Sequence, residues 1–430
     1  MKSFLKKIVI AVLSYEAKVL LRRHRPTIVA VTGNVGKTTT KDAIYVAIKN
    51  AVSARKSEKS FNSEIGVPVT VLGLHNAWNN PFLWAKNIID GFFIAFFSKK
   101  YPAVLVLEMG IDRPGDMERL TKWITPDIVV LTRLPSVPVH VEYFSTPEAV
   151  VEEKMKLVSA LKAEGTLVYN QDDVLIQEQL ENVLQRSIGF SRYLESDFMG
   201  SGDRVVYRDD IPVGMEFAVR HKDSSFTIGI EGTVGTQHVY ACTAAIAVAS
   251  SLGVSLEEAV QALRELRTPN GRMRLIPGIK SSVIIDDTYN SSPTACEQAL
   301  QTLSEMRHAK RKIVVLGDML ELGRFSSDEH ERIGEMVPKV ATMLLTVGVR
   351  ARKIAEGALN AGMDEENILQ YDDSLRAGQE LQDFLQAGDV VLVKASQGIR
   401  AEQIVEEIMA EPNLASELLV RQDDEWIKRK

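Results

Sequence analysis

The chain has 430 residues, more than one hydrophobic core usually organises, so we expect two or three domains. Its composition, 45% hydrophobic and 25% charged, is that of a globular protein. A net charge of −6 argues against a protein that wraps a nucleic-acid backbone. Cys242 and Cys296 match no metal-ligand spacing and lie in apolar, helix-like stretches. We interpret them as reduced core residues of a cytoplasmic protein.

The N-terminus combines a basic start with a short apolar run. Lys2, Lys6 and Lys7 precede apolar residues 8–13, an arrangement that resembles the start of a signal peptide. However, no small-residue cleavage site follows, and the run is far shorter than the roughly 20 residues that a spanning helix needs. We therefore predict an amphipathic helix over residues 3–22, within an N-terminal segment 1–25. It would pack on the protein or lie on a membrane surface.

From residue 27 onward, short β-rich apolar runs alternate with helical patterns, which is typical of a parallel α/β sheet. Residues 190–233 change to short alternating segments with turn signals, which predicts a small antiparallel β insertion. Helical patterns at 241–252 and 256–266 follow, and Pro269-Asn270-Gly271 is a turn or linker signal. The strands predicted in this part are 27–32, 103–107, 127–132 and 166–169.

A second α/β set follows the linker. We predict a doubly wound, Rossmann-like C-terminal domain over residues 268–430 and a central domain over residues 26–267. A cleft between two domains is a usual place for a ligand site. The C-terminal strands are predicted at 283–286, 313–316, 344–347 and 390–393, with helical stretches such as 294–306 between them.

The most specific motif is the stretch Thr-Gly-Asn-Val-Gly-Lys-Thr-Thr-Thr at residues 32–40, between a predicted strand and a helix. Glycines let backbone N–H groups approach phosphate oxygens, and the helix N-terminus adds positive potential. Lys37 would neutralise the β- and γ-phosphates, and Thr38 would hold Mg²⁺. The usual motif has a glycine where this chain has Val31, so the loop is a shortened variant. The predicted nucleotide-binding residues here are Gly33, Asn34, Val35, Gly36, Lys37, Thr38 and Thr39.

Glu108 ends the apolar run at residues 104–107. An acid at the carboxyl end of a parallel strand faces the ligand crevice, where it can bind Mg²⁺ directly or through water. The alternative is a solvated glutamate at a strand end. The phosphate loop upstream favours the metal role.

Six stretches, in matching order and spacing from residue 27 to about 408, resemble the Mur ligase family. They are residues 32–40, 62–68 and 108–110, His140 with Lys154, and residues 286–293 and 316–323. Asp-Asp-x-Tyr-Asn at 286–290 and Leu-Gly-Asp-Met-x-Glu-Leu-Gly at 316–323 resemble the branch that adds D-alanyl-D-alanine to UDP-N-acetylmuramoyl-tripeptide. The resemblance implies a central P-loop ATP-binding domain and a C-terminal Rossmann-like domain. It also implies a monomeric acid–amino-acid ligase of peptidoglycan precursor synthesis, acting in cell-wall growth, cell shape and division.

The resemblance further implies that ATP phosphorylates a substrate carboxylate and that an amine attacks the acyl phosphate. Catalysis of this kind depends on positioning and charge neutralisation. By resemblance, Lys154 becomes a carbamate that binds Mg²⁺; the alternative is an exposed helix lysine beside two glutamates. The implied Mg²⁺ ligands are Thr38, Glu108, His140 and Lys154, and the implied catalytic residues are Lys37, Lys154, His140 and Arg272. Asp287, Tyr289 and Asn290 would face the nucleotide, and Asn62, Lys394 and Ser396 the substrate.

The sequence also departs from the family pattern. No uridine-nucleotide-binding domain precedes the phosphate loop, and residues 235–238 and 394–397 differ from the boxes that the family carries there. We therefore keep two alternatives: a Mur-like ligase of other specificity, such as a γ-glutamyl or polyglutamate-type synthetase, and a non-catalytic nucleotide-binding partner protein. The second would be expected to lose Lys37, Glu108 or Lys154, and all three are present.

Residues 74–101 insert an aromatic-rich segment that is closed by Lys99 and Lys100. One interpretation is an amphipathic helix that covers core left bare by the missing domain. The other is that this helix and the basic N-terminal helix form one apolar face with a Lys/Arg rim, suited to the inner surface of the membrane. Polar residues interrupt the apolar runs too often for a membrane span.

Overall fold

The computed structural model describes residues 3–58, 60–423 and 426, and side chains within these except Ser3, Phe4 and Asn182. Lys2 of the predicted N-terminal segment and residues 424–425 and 427–430 of the predicted C-terminal domain lie outside the described residues. Two separate sheets organise the chain, one before residue 232 and one after residue 273. The predicted domain boundaries at residues 26 and 268 stay predictions.

The first sheet has nine strands. They are β1 Thr27–Thr32, β2 Ala54–Lys56, β3 Val104–Glu108, β4 Ile128–Leu131, β5 Thr166–Asn170, β6 Arg186–Ser191, β7 Phe198–Arg208, β8 Ile211–His221 and β9 Ser224–Glu231. Their order is β2-β3-β1-β4-β5-β6-β7-β8-β9. Strands β1 to β6 pair in parallel, as the alternation predicts. The predicted antiparallel strands are present as β7–β9, but they extend this sheet rather than forming a separate insertion, because β6 also pairs in parallel with β7.

Helices cover both faces of this sheet. One face packs against α2 and α8, whose buried sides are rich in alanine and isoleucine, and the other packs against α1 and α3. Each fully buried leucine of α1, such as Leu13 or Leu20, contributes about 1.5–3 kcal/mol relative to an exposed position. The helices are α1 Ser3–His24, α2 Lys37–Ile48, α3 Gly66–Leu72, α4 Pro81–Phe97, α5 Asp116–Thr121, α6 Pro147–Ser159, α7 Val174–Gln179, α8 Thr236–Ser251 and α9 Leu256–Leu263.

The second sheet has six strands: β10 Arg274–Pro277, β11 Val283–Asp287, β12 Arg311–Gly317, β13 Met343–Val347, β14 Ile368–Tyr371 and β15 Asp389–Lys394. Their order is β10-β11-β15-β12-β13-β14, and only β10 pairs antiparallel among these described strands. This is the doubly wound arrangement that the sequence predicts. The helices between and after these strands are α10 Pro293–Glu305, α11 Ser326–Met336, α12 Arg352–Asn360, α13 Ser374–Phe384, α14 Glu402–Ile408 and α15 Ala415–Leu418.

The two cysteines lie where the sequence places them. Cys242 is buried in α8 and Cys296 in α10, and neither forms a disulfide. Burial raises the pKa of both thiols above their usual range, so neither is an activated nucleophile. Their interpretation as reduced core residues is confirmed.

Helix α1 crosses α4 at Gly91, where a side chain would overlap Oε2 of Glu16. Glu16 is buried, and this oxygen has no hydrogen-bond partner among the described residues. Burial alone raises the pKa of Glu16 from its ordinary value to about 7. The crossing therefore contains a carboxyl group whose ionisation is disfavoured by its burial.

This carboxyl predicts a pH-dependent stability. Since the pKa of Glu16 is higher in the folded state, its destabilising effect is absent at low pH and grows as the pH rises towards about 7. We expect Glu16→Gln to raise the melting temperature by about 4 °C at pH 8 and much less at pH 5. Thermal unfolding at both pH values checks this, with Glu164→Gln, at an exposed position, as the control. An equal change at both pH values would contradict it.

Candidate functional site

The phosphate loop lies at the carboxyl end of β1, and its path requires glycine at two positions. Gly33 has φ 141°, and a side chain there would overlap the hydroxyl of Thr132 on the neighbouring strand end. Gly36 has φ 85° and immediately precedes α2. The hydroxyl of Thr132 donates to the carbonyl of Thr32 at 3.2 Å, which ties the ends of β1 and β4 together. The first backbone N–H groups of α2 have no partner within the helix and can bind a phosphate, as the motif predicts.

Two lysine amines converge on this loop. Nζ of Lys37 donates to the carbonyls of Gly33 at 3.0 Å and Asn34 at 3.2 Å. Nζ of Lys154, from α6, donates to the same Gly33 carbonyl at 3.1 Å. Lys154 is only 2% exposed, so its interpretation as an exposed helix lysine is wrong.

Burial and proximity change the acid–base chemistry of both amines. Burial lowers the pKa of Lys37, against the opposing effect of Glu108. Burial lowers the pKa of Lys154 well below its usual range, and the charge on Lys37 lowers it further. Asp112 partly opposes the shift at both lysines. The loop therefore holds a poorly neutralised pair of amines, which suits an anionic ligand.

Glu108 is buried at the carboxyl end of β3, opposite Val31 in the parallel register. Its Oε1 accepts a hydrogen bond from Nδ2 of Asn62 at 2.9 Å, and its backbone N–H donates to the Ser57 hydroxyl at 3.2 Å. Its Oε2 has no hydrogen-bond partner among the described residues. At 1% exposure the solvated alternative is wrong, and a buried carboxylate oxygen left in this way is suited to a cation.

Thr38 and His140 are the other predicted metal ligands. The Thr38 hydroxyl lies 3.1 Å from the hydroxyl of Ser60. His140 has a left-handed backbone, φ 69°; its Nδ1 lies 2.7 Å from Oε2 of Glu321, and its Nε2 lies 3.7 Å from Oδ1 of Asp112. Across the part of the chain that the structure describes, no three His, Cys, Asp or Glu side chains form a metal-binding group. A metal ion here would therefore need the Thr38 hydroxyl, a modified Lys154 or water as further ligands.

The contact between His140 and Glu321 links a loop of the first sheet to a loop of the second. Glu321 belongs to the loop after β12, and its carbonyl accepts from the N–H of Glu142 at 3.4 Å. The histidine lowers the pKa of Glu321 by hydrogen bonding and by charge. Glu321 lies in the family string at 316–323 but had no predicted role, and Asp112 was not predicted because it lies just beyond the stretch at 108–110.

On the C-terminal side, the predicted residues meet at the carboxyl ends of β11 and β15. Nζ of Lys394 donates to Oδ2 of Asp287 at 2.6 Å and to the carbonyl of Asn290 at 2.9 Å. The Ser396 hydroxyl accepts from the N–H of Leu320 at 2.9 Å. Lys394 and Ser396, predicted as substrate contacts, are both buried, and these bonds hold the strand ends and the following loop.

Arg272 and Tyr289 face the phosphate loop from this side. The Arg272 guanidinium lies over the Tyr289 ring, 4.1 Å from its centre, and its charge lowers the pKa of Lys37. Both residues line a cavity of about 680 Å³ together with Thr38 and Ser60. A smaller cavity brings Arg272, Asp287 and Lys394 together with loop residues Val35, Gly36 and Thr39. Predicted nucleotide-binding residues from both sheets thus line these two cavities, which share Arg272.

Two further residues support this side of the cleft. Arg421 donates to the carbonyls of Thr288 and Tyr289 and is paired with Glu402 at 2.7 Å. Arg421 was not predicted because no motif lies near it. His330 is buried, and its Nε2 accepts from the N–H of Met319 at 2.9 Å, so its role is structural.

Comparison with protein families gives two matches in chain order. The Mur ligase middle domain matches residues 89–249, and the Mur ligase glutamate ligase domain matches residues 271–397. The chain belongs to the Mur ligase family. The resemblance drawn from the sequence motifs is confirmed, and so is the α/β fold class.

Individual relatives extend this similarity over nearly the whole of this Mur ligase. The UDP-N-acetylmuramoyl-tripeptide–D-alanyl-D-alanine ligase of Bacillus subtilis is 28% identical over 401 residues, 92% of this chain and 79% of the relative. The crystal structure of MurF ligase from Thermotoga maritima in complex with ADP has a TM-score of 0.75 at 26% identity, covering 95% of this chain and 84% of that chain. Folylpolyglutamate synthase of Mycobacterium tuberculosis, complexed with ADP, shares the fold, with a TM-score of 0.61 at 14% identity, covering 90% and 92% of the two chains.

The position of Lys37 predicts a large effect of its removal. Lys37→Ala takes away a charge beside the transferring phosphate, so we expect turnover of ATP to fall at least about 10²-fold. Measurement of phosphate release checks this. Lys49→Ala, a lysine just past the end of the same helix in an exposed ion pair with Glu265, is the matched control and should retain activity. Near-normal ATP turnover in Lys37→Ala would refute the role given to the loop.

Proposed function

We propose that this Mur ligase is an ATP-dependent enzyme that adds D-alanyl-D-alanine to UDP-N-acetylmuramoyl-tripeptide by way of an acyl phosphate. The observation that carries the proposal is the convergence of the Lys37 and Lys154 amines on the Gly33 carbonyl, with the buried Glu108 nearby. Similarity to D-alanyl-D-alanine ligases along most of the chain supports this pair of substrates. The product would be a precursor of peptidoglycan.

In the proposed reaction, a carboxylate oxygen of the tripeptide attacks the γ-phosphorus of ATP, and ADP leaves. The amine of D-alanyl-D-alanine then attacks the acyl carbon, loses a proton, and the tetrahedral intermediate expels phosphate. Lys37 would exchange its bonds to two loop carbonyls for phosphate oxygens. Arg272 would add positive charge from the other side of the cleft, where it lies against Tyr289.

The residues present fit Mg²⁺, since Glu108 offers an unpartnered buried carboxylate oxygen beside the loop. The Thr38 hydroxyl, Glu108, His140 and Lys154 would hold the metal. Nε2 is the His140 nitrogen suited to this role, because Nδ1 faces Glu321. When bound, Mg²⁺ would neutralise charge on the transferring phosphoryl group.

Lys154 is suited to carbamate formation. Its lowered pKa leaves more of the amine neutral, and a neutral amine can attack CO₂ and release a proton. The resulting carbamate is anionic, so it would pair with Lys37 instead of repelling it. The charge on Lys37, which disfavours a second ammonium group beside it, would favour this anion.

We place this reaction in the cytoplasm, where ATP is available, with the enzyme peripheral to the inner face of the membrane. We propose a monomer with no nucleic-acid partner.

A panel of substrates tests the function. We expect phosphate release from ATP to require both UDP-N-acetylmuramoyl-tripeptide and D-alanyl-D-alanine, and mass spectrometry to show the corresponding pentapeptide product. Dipeptide-independent release with glutamate as the amine would favour the γ-glutamyl or polyglutamate-type alternative. ATP binding without turnover for any pair would favour a non-catalytic nucleotide-binding protein.

Lys154 gives a separate prediction. Lys154→Ala should lose at least about 10²-fold of the activity and regain part of it with acetate or propionate, which can replace the lost carboxylate oxygens. Lys156→Ala, two residues on, with a side chain that is 41% exposed and pairs with the buried Glu153, is the control and should stay active without rescue. Full activity of Lys154→Ala in bicarbonate-free buffer would refute the carbamate.

A further inference from the structure

Helix α4 buries only one of its sides. Its small and polar residues Asn87, Gly91 and Ala95, together with Trp84, face the protein. Its other side exposes phenylalanines to as much as 83% at Phe82. The sequence interpretation of a helix that covers core therefore explains the buried side and leaves the aromatic side unexplained. The exposed apolar residues of α4 are Phe82, Leu83, Ile89, Phe92, Phe93, Phe96 and Phe97.

Helix α1 packs against α4 and exposes apolar residues of its own. Leu5, Ile8 and Tyr15 are exposed at spacings that place them on one side of the helix. The two helices are fixed to each other at their C-terminal ends, where Nη1 of Arg23 donates to the Ala95 carbonyl at 3.2 Å. His24 and Ser98 lie 3.2 Å apart in the same region. We call the exposed apolar residues of α1 and α4 together the aromatic face.

The phenylalanines at the end of α4 pack on each other. The ring centres of Phe92 and Phe96 are 4.8 Å apart, and Phe93 and Phe97 are 5.9 Å apart. Even so, Phe93 remains 58% exposed and Phe97 64% exposed. A contiguous apolar patch of this kind on a globular protein marks an interaction surface, whereas single exposed hydrophobic residues do not.

The charge around the aromatic face is opposite to that of the rest of the chain. Residues 3–25 and 81–100 contain nine Lys or Arg and two acids, Glu16 and Asp90. The remaining residues contain 42 Lys or Arg and 55 Asp or Glu, out of 51 and 57 in the whole chain. Of the basic residues here, all except Lys18 are exposed. Lys86 is paired with Asp90 at 2.6 Å. We call the exposed basic residues of these two segments the basic rim: Lys6, Lys7, Arg22, Arg23, Arg25, Lys86, Lys99 and Lys100.

We propose that the aromatic face and its basic rim bind the surface of an anionic lipid bilayer. Aromatic side chains would enter the boundary between headgroups and acyl chains while the rim meets lipid phosphates. Each basic residue near such a surface strengthens binding about fivefold at moderate ionic strength. Among the described helices, none has the length and apolar character needed to cross a bilayer, so the helices lie on the surface.

A second copy of this chain is a poorer occupant for the same face. A symmetric pair would bring two basic rims together, and like charges across an interface oppose association. An anionic bilayer supplies the opposite charge together with an apolar layer. The proposal does not depend on the ligase chemistry, because no residue of the aromatic face belongs to the nucleotide cleft.

Vesicle flotation with the full-length protein tests the proposal. With vesicles of phosphatidylglycerol and phosphatidylcholine at about 0.1 M salt, we expect most of the protein to float. Vesicles of phosphatidylcholine alone, or salt of about 1 M, should reduce the floating fraction at least about fivefold. Protein that does not float with the anionic vesicles at the lower salt would overturn the proposal.

Two variants separate the aromatic and basic contributions. Phe93→Asp with Phe97→Asp should abolish flotation, and Lys99→Glu with Lys100→Glu should reduce it on anionic vesicles only. Val349→Asp, a residue 70% exposed beyond β13 on the second sheet, is the control and should float like the natural protein. Phosphate release by each variant confirms that the site is folded. Normal flotation of the double aspartate variant, or a lipid-free dimer that this variant dissociates, would overturn the proposal.

Discussion

The close approach of the Gly33 backbone to Thr132 is the constraint on which the site depends. Because Gly33 has no side chain, the loop can lie against the end of β4 and turn into α2; any side chain there would overlap Thr132. The same turn presents the Gly33 carbonyl to the amines of Lys37 and Lys154. One backbone position therefore fixes the loop, the helix that follows it and two of the cations of the cleft.

The electrostatics of the site follow from that geometry. Two amines share one neutral carbonyl, and the nearest carboxylates, Glu108 and Asp112, only partly offset the cost of burying them. Burying the two amines costs free energy in the protein alone, and anions that bind between them would offset this cost. Nucleotide phosphates and a carbamate on Lys154 would both supply negative charge at this point. The site is thus built to be stabilised by its own ligands.

The parts of the fold that could be predicted are those with a strong local signal. The glycine pattern between a strand and a helix placed the loop, and a strand-end acid placed Glu108. Strands β2, β10 and β14 were not predicted, because three or four half-exposed residues give no apolar run. The burial of Lys154 was equally hidden, since residues 151–154 have the polar pattern of a solvated helix and only packing of α6 against the loop buries the amine. Helix α4 has apolar residues on most of its circumference and buries the polar Asn87, so its sequence could not say which side faces the protein.

The contact between His140 and Glu321 makes the proposed metal site depend on how close the two sides of the cleft are. A proposed metal ligand on one side of the cleft lies 2.7 Å from a carboxylate oxygen on the other side, and the N–H of Glu142 donates to the carbonyl of Glu321. The orientation of the imidazole therefore depends on the distance between the two sheets. If the cleft opens, Glu321 withdraws and the imidazole loses this neighbouring carboxylate. The position of His140 would then depend on domain closure, so the proposed metal site would be complete only in the closed enzyme.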